Sequence, residues 1–149
     1  MASVPSSGGE ESAVSGGAVV DKLQEWGSNS LPPALMATLI TALHARPMKP
    51  FALAVFVPPL LFSSYVNLLG FPTASAGITA AWSGVYALLA FRRRQSLRNK
   101  FSVRGLVRGS AIGMGSANAL AGGWVYYRGD LRKDNEERLR RNRWGAVEE

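Results

Sequence analysis

Two apolar segments joined by a run of bases set the terms for the rest of this chain. Between Ser75 and Tyr127 it reads SAGITAAWSGVYALLAF, then RRRQSLRNKFSVR, then GLVRGSAIGMGSANALAGGWVYY. Neither apolar arm holds an acidic residue. Crossing about 30 Å of hydrocarbon takes roughly 20 helical residues at about 1.5 Å of rise each, and both arms are near that length. The hinge carries Arg92, Arg93, Arg94, Arg98, Lys100 and Arg104 without one carboxylate, and Arg108 lies just inside the second arm, where its stem can reach back to an interface. A transmembrane hairpin requires this arrangement.

The remaining composition fits a small polytopic membrane protein rather than a soluble domain. Mean hydropathy is close to zero, but the average conceals segregation: residues 51–91 and 105–127 are strongly apolar, while residues 1–30 and 128–149 are polar. At 149 residues the chain is one domain at most. It has no cysteine, which excludes a disulfide framework, a thiolate metal site and a thiol nucleophile. Its formal charge of +7 equals the contribution of the hinge bases and Arg108. Loop charge placed beside apolar spans orients a membrane protein, so no nucleic-acid partner is expected.

Taken in order, residues 1–30 are rich in Ser, Gly and Ala and are expected to form a flexible polar tail. The tail resembles neither an Arg-rich presequence nor a secretory signal, so an organellar address is expected to be internal. DKLQEWGSN suits a short helix ended by Gly27, with Trp26 set for a membrane interface, a partner or its own chain. Residues 31–45, starting LPPALMATLITALH, open on a proline pair that suits a helix start and are too short to span a bilayer, so an interfacial or half-inserted helix is expected there. His44, the single histidine, reads as structural. Residues 51–70 form the first expected span. Pro58 and Pro59 should bend it as a packing adjustment, with Ser63 and Ser64 one turn later, placed to bond back to the chain. GFPTAS is a turn.

Residues 75–91 and 105–127 are the second and third expected spans, and each carries a stripe of small residues. The second has Ala76, Ala80 and Gly84 at steps of four; the third has Gly105, Gly109, Gly113, Ala117 and Ala121, with Ser110, Met114, Asn118 and Gly122 beside them. In lipid, helices associate through close van der Waals contact and interhelical hydrogen bonds, which small side chains permit. These two stripes are therefore expected to face each other, with Asn118 as an interhelical donor. Trp124, Tyr126 and Tyr127 suit an interface at the end of the last span.

Residues 128–149 alternate in charge, and Glu136 with Arg140 and Glu137 with Arg141 have the helix-supporting order of acid before base. Leu131, Leu139 and Trp144 are the candidates to dock this tail. The search for chemistry finds little: between Phe51 and Tyr127 there is no Asp, Glu, His or Cys, and the only Lys is Lys100. A nucleophile with its base, a metal site or a proton relay needs ionisable groups in a shielded place. Neither catalysis nor a cofactor is expected. Gly113-Met114-Gly115-Ser116 lies inside an apolar span and is no phosphate loop. The whole reads as an all-α membrane protein, a small bundle of about three transmembrane helices with an interfacial N-terminal helix and a charged C-terminal helix.

Three stretches carry a resemblance: HARPMKPFALAVFVPPLLFSSYVNLLG from His44, TASAGITAAWSGVYALLAFRRR from Thr73, and RGLVRGSAIGMGSANALAGGWVYYRG from Arg104. The last two are similar to a small mitochondrial inner-membrane family that includes a fungal altered-inheritance-of-mitochondria protein. With the first, over roughly residues 31–128, the chain resembles the NUXM family, accessory subunits of respiratory complex I in fungi and plants. The resemblance implies a multi-pass protein of the mitochondrial inner membrane, bound to membrane-arm subunits of complex I and outside the redox and pumping machinery. Phospholipids, cardiolipin among them, are expected at the basic hinge. Positive-inside bias would set Arg46, Lys49 and Arg92 to Arg104 in the matrix and the C-terminal helix in the intermembrane space. A free-standing carrier that self-associates, and a complex I assembly factor, are the alternatives.

Overall fold

The computed structural model describes residues 8–46, 48–93 and 101–145, with side chains from Gly16 to Arg141. Arg94, Arg98 and Lys100 of the expected hinge, and the Trp144 side chain, lie outside the described residues. Six helices and no strand are present among those described: α1 Gly8–Ser28, α2 Leu31–His44, α3 Pro50–Leu68, α4 Pro72–Arg92, α5 Val103–Arg128 and α6 Leu131–Gly145.

Local chemistry explains where the helices start. α2, α3 and α4 each begin with proline in the first turn, where an N–H has no intrahelical partner to lose. The turn into α4 passes through Gly70 at φ 92°, a left-handed conformation that favours glycine. α5 is capped by Ser102, whose Oγ accepts from the Gly105 N–H at 3.1 Å. α3 stays helical through Pro58 and Pro59.

By length and composition α3 and α4 can cross a membrane. α5 has 26 residues, ample for a span, but its many glycines with Ser110, Ser116 and Asn118 keep its hydropathy below that of α3 and α4. Chain direction alternates through the bundle. α4 descends from Thr73 to Arg92 while α5 returns beside it, so Gly115 meets Ser83 and Ala87, Gly122 meets Ala76 and Ala80, and Gly129 meets Thr73.

The core lies where α2 crosses α3, α4 and α5. Met36, Ile40, Leu60 and Ala111 are fully buried, with Phe56 standing edge-on to both Tyr86, 5.3 Å between ring centres, and Trp82, 6.0 Å. α2 packs its prolines, Met36, Ala37 and Ile40 into this core, while Leu31, Leu35, Thr38 and Thr41 stay exposed. Its single histidine donates from Nδ1 to the Ile40 carbonyl, 2.9 Å away, and sets its ring edge-on to Tyr86.

The flexible tail expected over residues 1–30 is corrected from Gly8 onward, and the short helix expected at DKLQEWGSN is the end of a longer one. Gly8–Ser28 is helical and lies along α5. Among its described side chains Val20, Leu23 and Gly27, spaced by three and four residues, are half-buried, as is Ser28 at its end. Gly27 comes so close that a β-carbon there would sit 2.5 Å from the Ala121 carbonyl oxygen.

α6 docks through charge, not through the leucines singled out above. Leu131 and Leu139 stay about half exposed. Asp134 instead accepts from the Thr73 N–H at 2.9 Å, placing a carboxylate at the positive end of α4, and one turn later the Arg138 guanidinium lies over the Phe71 ring at 4.8 Å. Of the two acid and base pairs, Glu137 and Arg141 meet at 3.6 Å, the one ion pair among the described residues.

Candidate functional site

Two buried polar side chains of this bundle, Ser63 and Asn118, each tie two or more helices. Ser63 of α3 lies 2.8 Å from the Ser75 carbonyl, 3.0 Å from the Ser75 hydroxyl and 2.7 Å from the Thr79 hydroxyl. A carbonyl only accepts, so Ser63 donates to it and receives the protons of Ser75 and Thr79. Ser64 donates to the Ser30 carbonyl at 2.6 Å, and Asn67 to the Ser28 carbonyl at 2.7 Å. The two serines expected to bond back along α3 therefore fasten it to α4 and to the α1–α2 link instead.

Asn118 is the second junction and is 1 % exposed. Its Oδ1 accepts from Trp26 Nε1 of α1 at 3.0 Å, while its Nδ2 donates to the Pro32 carbonyl of α2 at 3.3 Å and lies 3.5 Å from the Ser83 hydroxyl of α4. One side chain thus links α5 to three other helices. Its burial leaves Trp26 turned to its own chain, one of the three settings open to it in sequence.

The small-residue stripes divide. On α4, Ala76 is buried and Ala80 and Gly84 are half-buried; on α5, Asn118 and Ala121 are buried, Gly105 is half-buried, and Gly109, Gly113 and Ala117 are exposed. Among the described residues, nothing beyond α5's own adjacent backbone comes within 4 Å of a β-carbon built on Gly109 or Gly113. This corrects the facing stripe expected from Gly105 to Ala121. At about 100° per residue, each step of four turns about 40° around the helix, so Gly105 and Ala121 stand about 160° apart. A strict four-residue ladder cannot hold one face.

Inside the bundle the seam of α5 is Ala111, Gly115, Asn118, Gly122 and Val125, in steps of four and three. That spacing averages 3.5 and stays with a partner helix. Contact is close: a β-carbon would lie 3.1 Å from the Ser83 carbonyl at Gly115 and 2.6 Å from the Ala76 carbonyl at Gly122. α4 answers with Ala76, Thr79, Ser83, Ala87 and Ala90, all buried. The alternation was available in the sequence but was hidden by the more regular ladder of glycines beside it.

At the far end of α4 the described bases gather. Arg108 donates from Nη2 to the Ala90 carbonyl at 3.1 Å and reaches the Arg93 carbonyl at 3.5 Å, so a cation of α5 closes the negative end of α4. Arg104 donates to the Arg46 carbonyl. A cavity of about 520 Å³ opens between the ends of α2, α3, α4 and α5, and Lys49, Arg93, Arg104 and Arg108 line it. Arg92 is exposed and outside that lining. Among the described residues no three His, Cys, Asp or Glu side chains come together as metal ligands.

No family model, curated protein or solved structure matches the chain. What defines the site is its geometry: a sealed interior, an open glycine face on α5 and a basic cavity at one end.

Proposed function

We propose that this chain is a non-catalytic accessory subunit of mitochondrial NADH:ubiquinone oxidoreductase, embedded in the inner membrane against the membrane arm and stabilising it. The observation that carries a packing role is the outer face of α5, where Gly109 and Gly113 are exposed beside open space. A membrane-arm helix can approach the backbone there as closely as α4 does on the inner side. α5 serves as a third span in this reading. Asp134 at Thr73 and Arg108 at Ala90 mark two polar levels on α4, separated by 17 residues or about 26 Å of helix, close to the hydrocarbon thickness.

Two features support embedding and a passive role. Leu61, Phe62, Leu68, Leu88 and Leu120 are exposed large apolar side chains on α3, α4 and α5. The hydroxyls among such positions bond back to their own helix, Ser110 to the Leu106 carbonyl at 3.0 Å and Thr38 to the Ala34 carbonyl at 3.0 Å, as lipid demands. The interior junctions at Ser63 and Asn118 are closed hydrogen-bond sets that hold helices together. The choice of complex follows the resemblance over residues 31–128.

Mild-detergent native electrophoresis of mitochondrial membranes tests this, with mass spectrometry of the band that carries NADH dehydrogenase activity. The chain should appear there in constant ratio to the core subunits. Recovery only in a small complex of its own would make it a free-standing carrier, and recovery only in subassemblies would make it an assembly factor.

A further inference from the structure

The basic cavity is a place where cations are concentrated and no acid answers them. Lys49, Arg93, Arg104 and Arg108 share it, and the sequence holds no Asp or Glu from Trp26 through Gly129. No acidic residue lines it among the described residues. Four positive charges gathered around one space repel one another unless an anion enters. Arg104 and Arg108 are held there by backbone carbonyls of Arg46 and Ala90, which fixes two guanidinium groups while leaving N–H donors over. α3 also opens at the cavity rim, at Pro50, with no side-chain cap on its first N–H groups.

The remaining wall is apolar. Phe51, Phe56 and Leu89 line the same space, and Phe51 is 79 % exposed. A free phosphate ion has no use for that wall, whereas a phosphate carrying acyl chains meets both halves. At about 520 Å³ the cavity falls in the range of roughly 300–1,000 Å³ typical of ligand sites.

We propose that this cavity binds an anionic phospholipid, its phosphate held by Lys49, Arg93, Arg104 and Arg108 and an acyl chain laid along Phe51, Phe56 and Leu89. The site rests on the membrane embedding of α3 and α4 and is independent of the complex the subunit joins.

The test uses the isolated full chain in mild detergent, so its failure is distinct from a failure to find the chain in the oxidoreductase. Native mass spectrometry counts phosphatidylglycerol and phosphatidylcholine of equal acyl length retained from an equimolar mixture. Phosphatidylglycerol should be retained preferentially. The double variant Lys49→Gln with Arg93→Gln removes two exposed cations and should lower that preference roughly tenfold or more, on the basis of about 1 kcal/mol per base near an anionic headgroup. Arg132→Gln with Arg140→Gln, an equal charge loss on α6, should leave it unchanged. Equal retention of the two lipids, or equal loss in the two double variants, overturns the site. Millimolar inorganic phosphate should not displace the lipid; displacement would make this a free-anion site and overturn the lipid assignment.

Discussion

The inner and outer faces of α5 are built from the same small residues and meet different surroundings. On the inner face Gly122 sits closer to the Ala76 carbonyl than a side chain allows, and Gly115 packs tightly on the Ser83 carbonyl. On the outer face Gly109 and Gly113 meet no other helix among the described residues. Glycine in a helix interior is destabilising by roughly 0.5–1 kcal/mol relative to alanine, so contact inside the bundle accounts for the first pair and leaves the second without an intrachain role. The contrast separates what folds this protein from what is left to meet a partner.

The sharpest way to break the comparison is to fill the inner face. Gly122→Leu drives a side chain into the Ala76 carbonyl and Ala80, where backbone has to move. It is expected to cost about 3 kcal/mol or more, at the upper end of overpacking effects. Unfolding of the purified chain in mixed dodecyl sulfate micelles measures this, and a loss under 1 kcal/mol would mean that α4 and α5 are not closely seamed. Asn118→Leu comes next. It strands Trp26 Nε1 and the Pro32 carbonyl, and interhelical hydrogen bonds in membranes average about 0.6 kcal/mol with a maximum near 1.7. Because three helices share this side chain, a loss of about 1–2 kcal/mol is expected, with a change in the near-ultraviolet signal as Trp26 is released. An unchanged signal would remove Asn118 from its place as the junction.

Asp134→Ala acts on one end only. It takes a carboxylate from the first turn of α4, an effect of about 0.5–1 kcal/mol, and should free α6 from the Gly70–Thr73 turn. Hydrogen exchange should rise across residues 131–141 while the protection of α4 and α5 is kept. If α6 stays protected, Arg138 on Phe71 is sufficient to hold it.

The helices and their apolar character were legible because they follow from composition: proline pairs at starts, long acid-free runs, bases between them. The seam was harder. Gly105, Gly109 and Gly113 form the more regular pattern, yet regularity at four residues is what rotates a row off its face, and only the alternation of four and three through Ala111, Gly115 and Asn118 stays put. Only the last turns of α1 were expected as helix, because Val20, Leu23 and Gly27 make a narrow stripe in an otherwise polar stretch that packs against α5. The docking of α6 was invisible for another reason. A carboxylate capping a helix some 60 residues earlier in the chain leaves no periodic trace, whereas leucines attract attention even when they remain exposed.

The smallest effect on the fold is the one with the most to say about function. Gly109→Leu adds a side chain where the chain offers open space, so the isolated protein should unfold within about 0.5 kcal/mol of the original, or gain slightly from leaving glycine behind. In mitochondrial membranes the same variant should be lost from the NADH dehydrogenase band, because a leucine holds a neighbouring helix away from the backbone. The two readouts have to be taken together. Loss of both would mean that the outer face supports the fold after all, and the division of α5 into an inner and an outer surface would fail. Retention of both would keep the division and remove the reason to place a partner there. Only a stable chain that no longer enters the complex assigns the outer glycines to assembly.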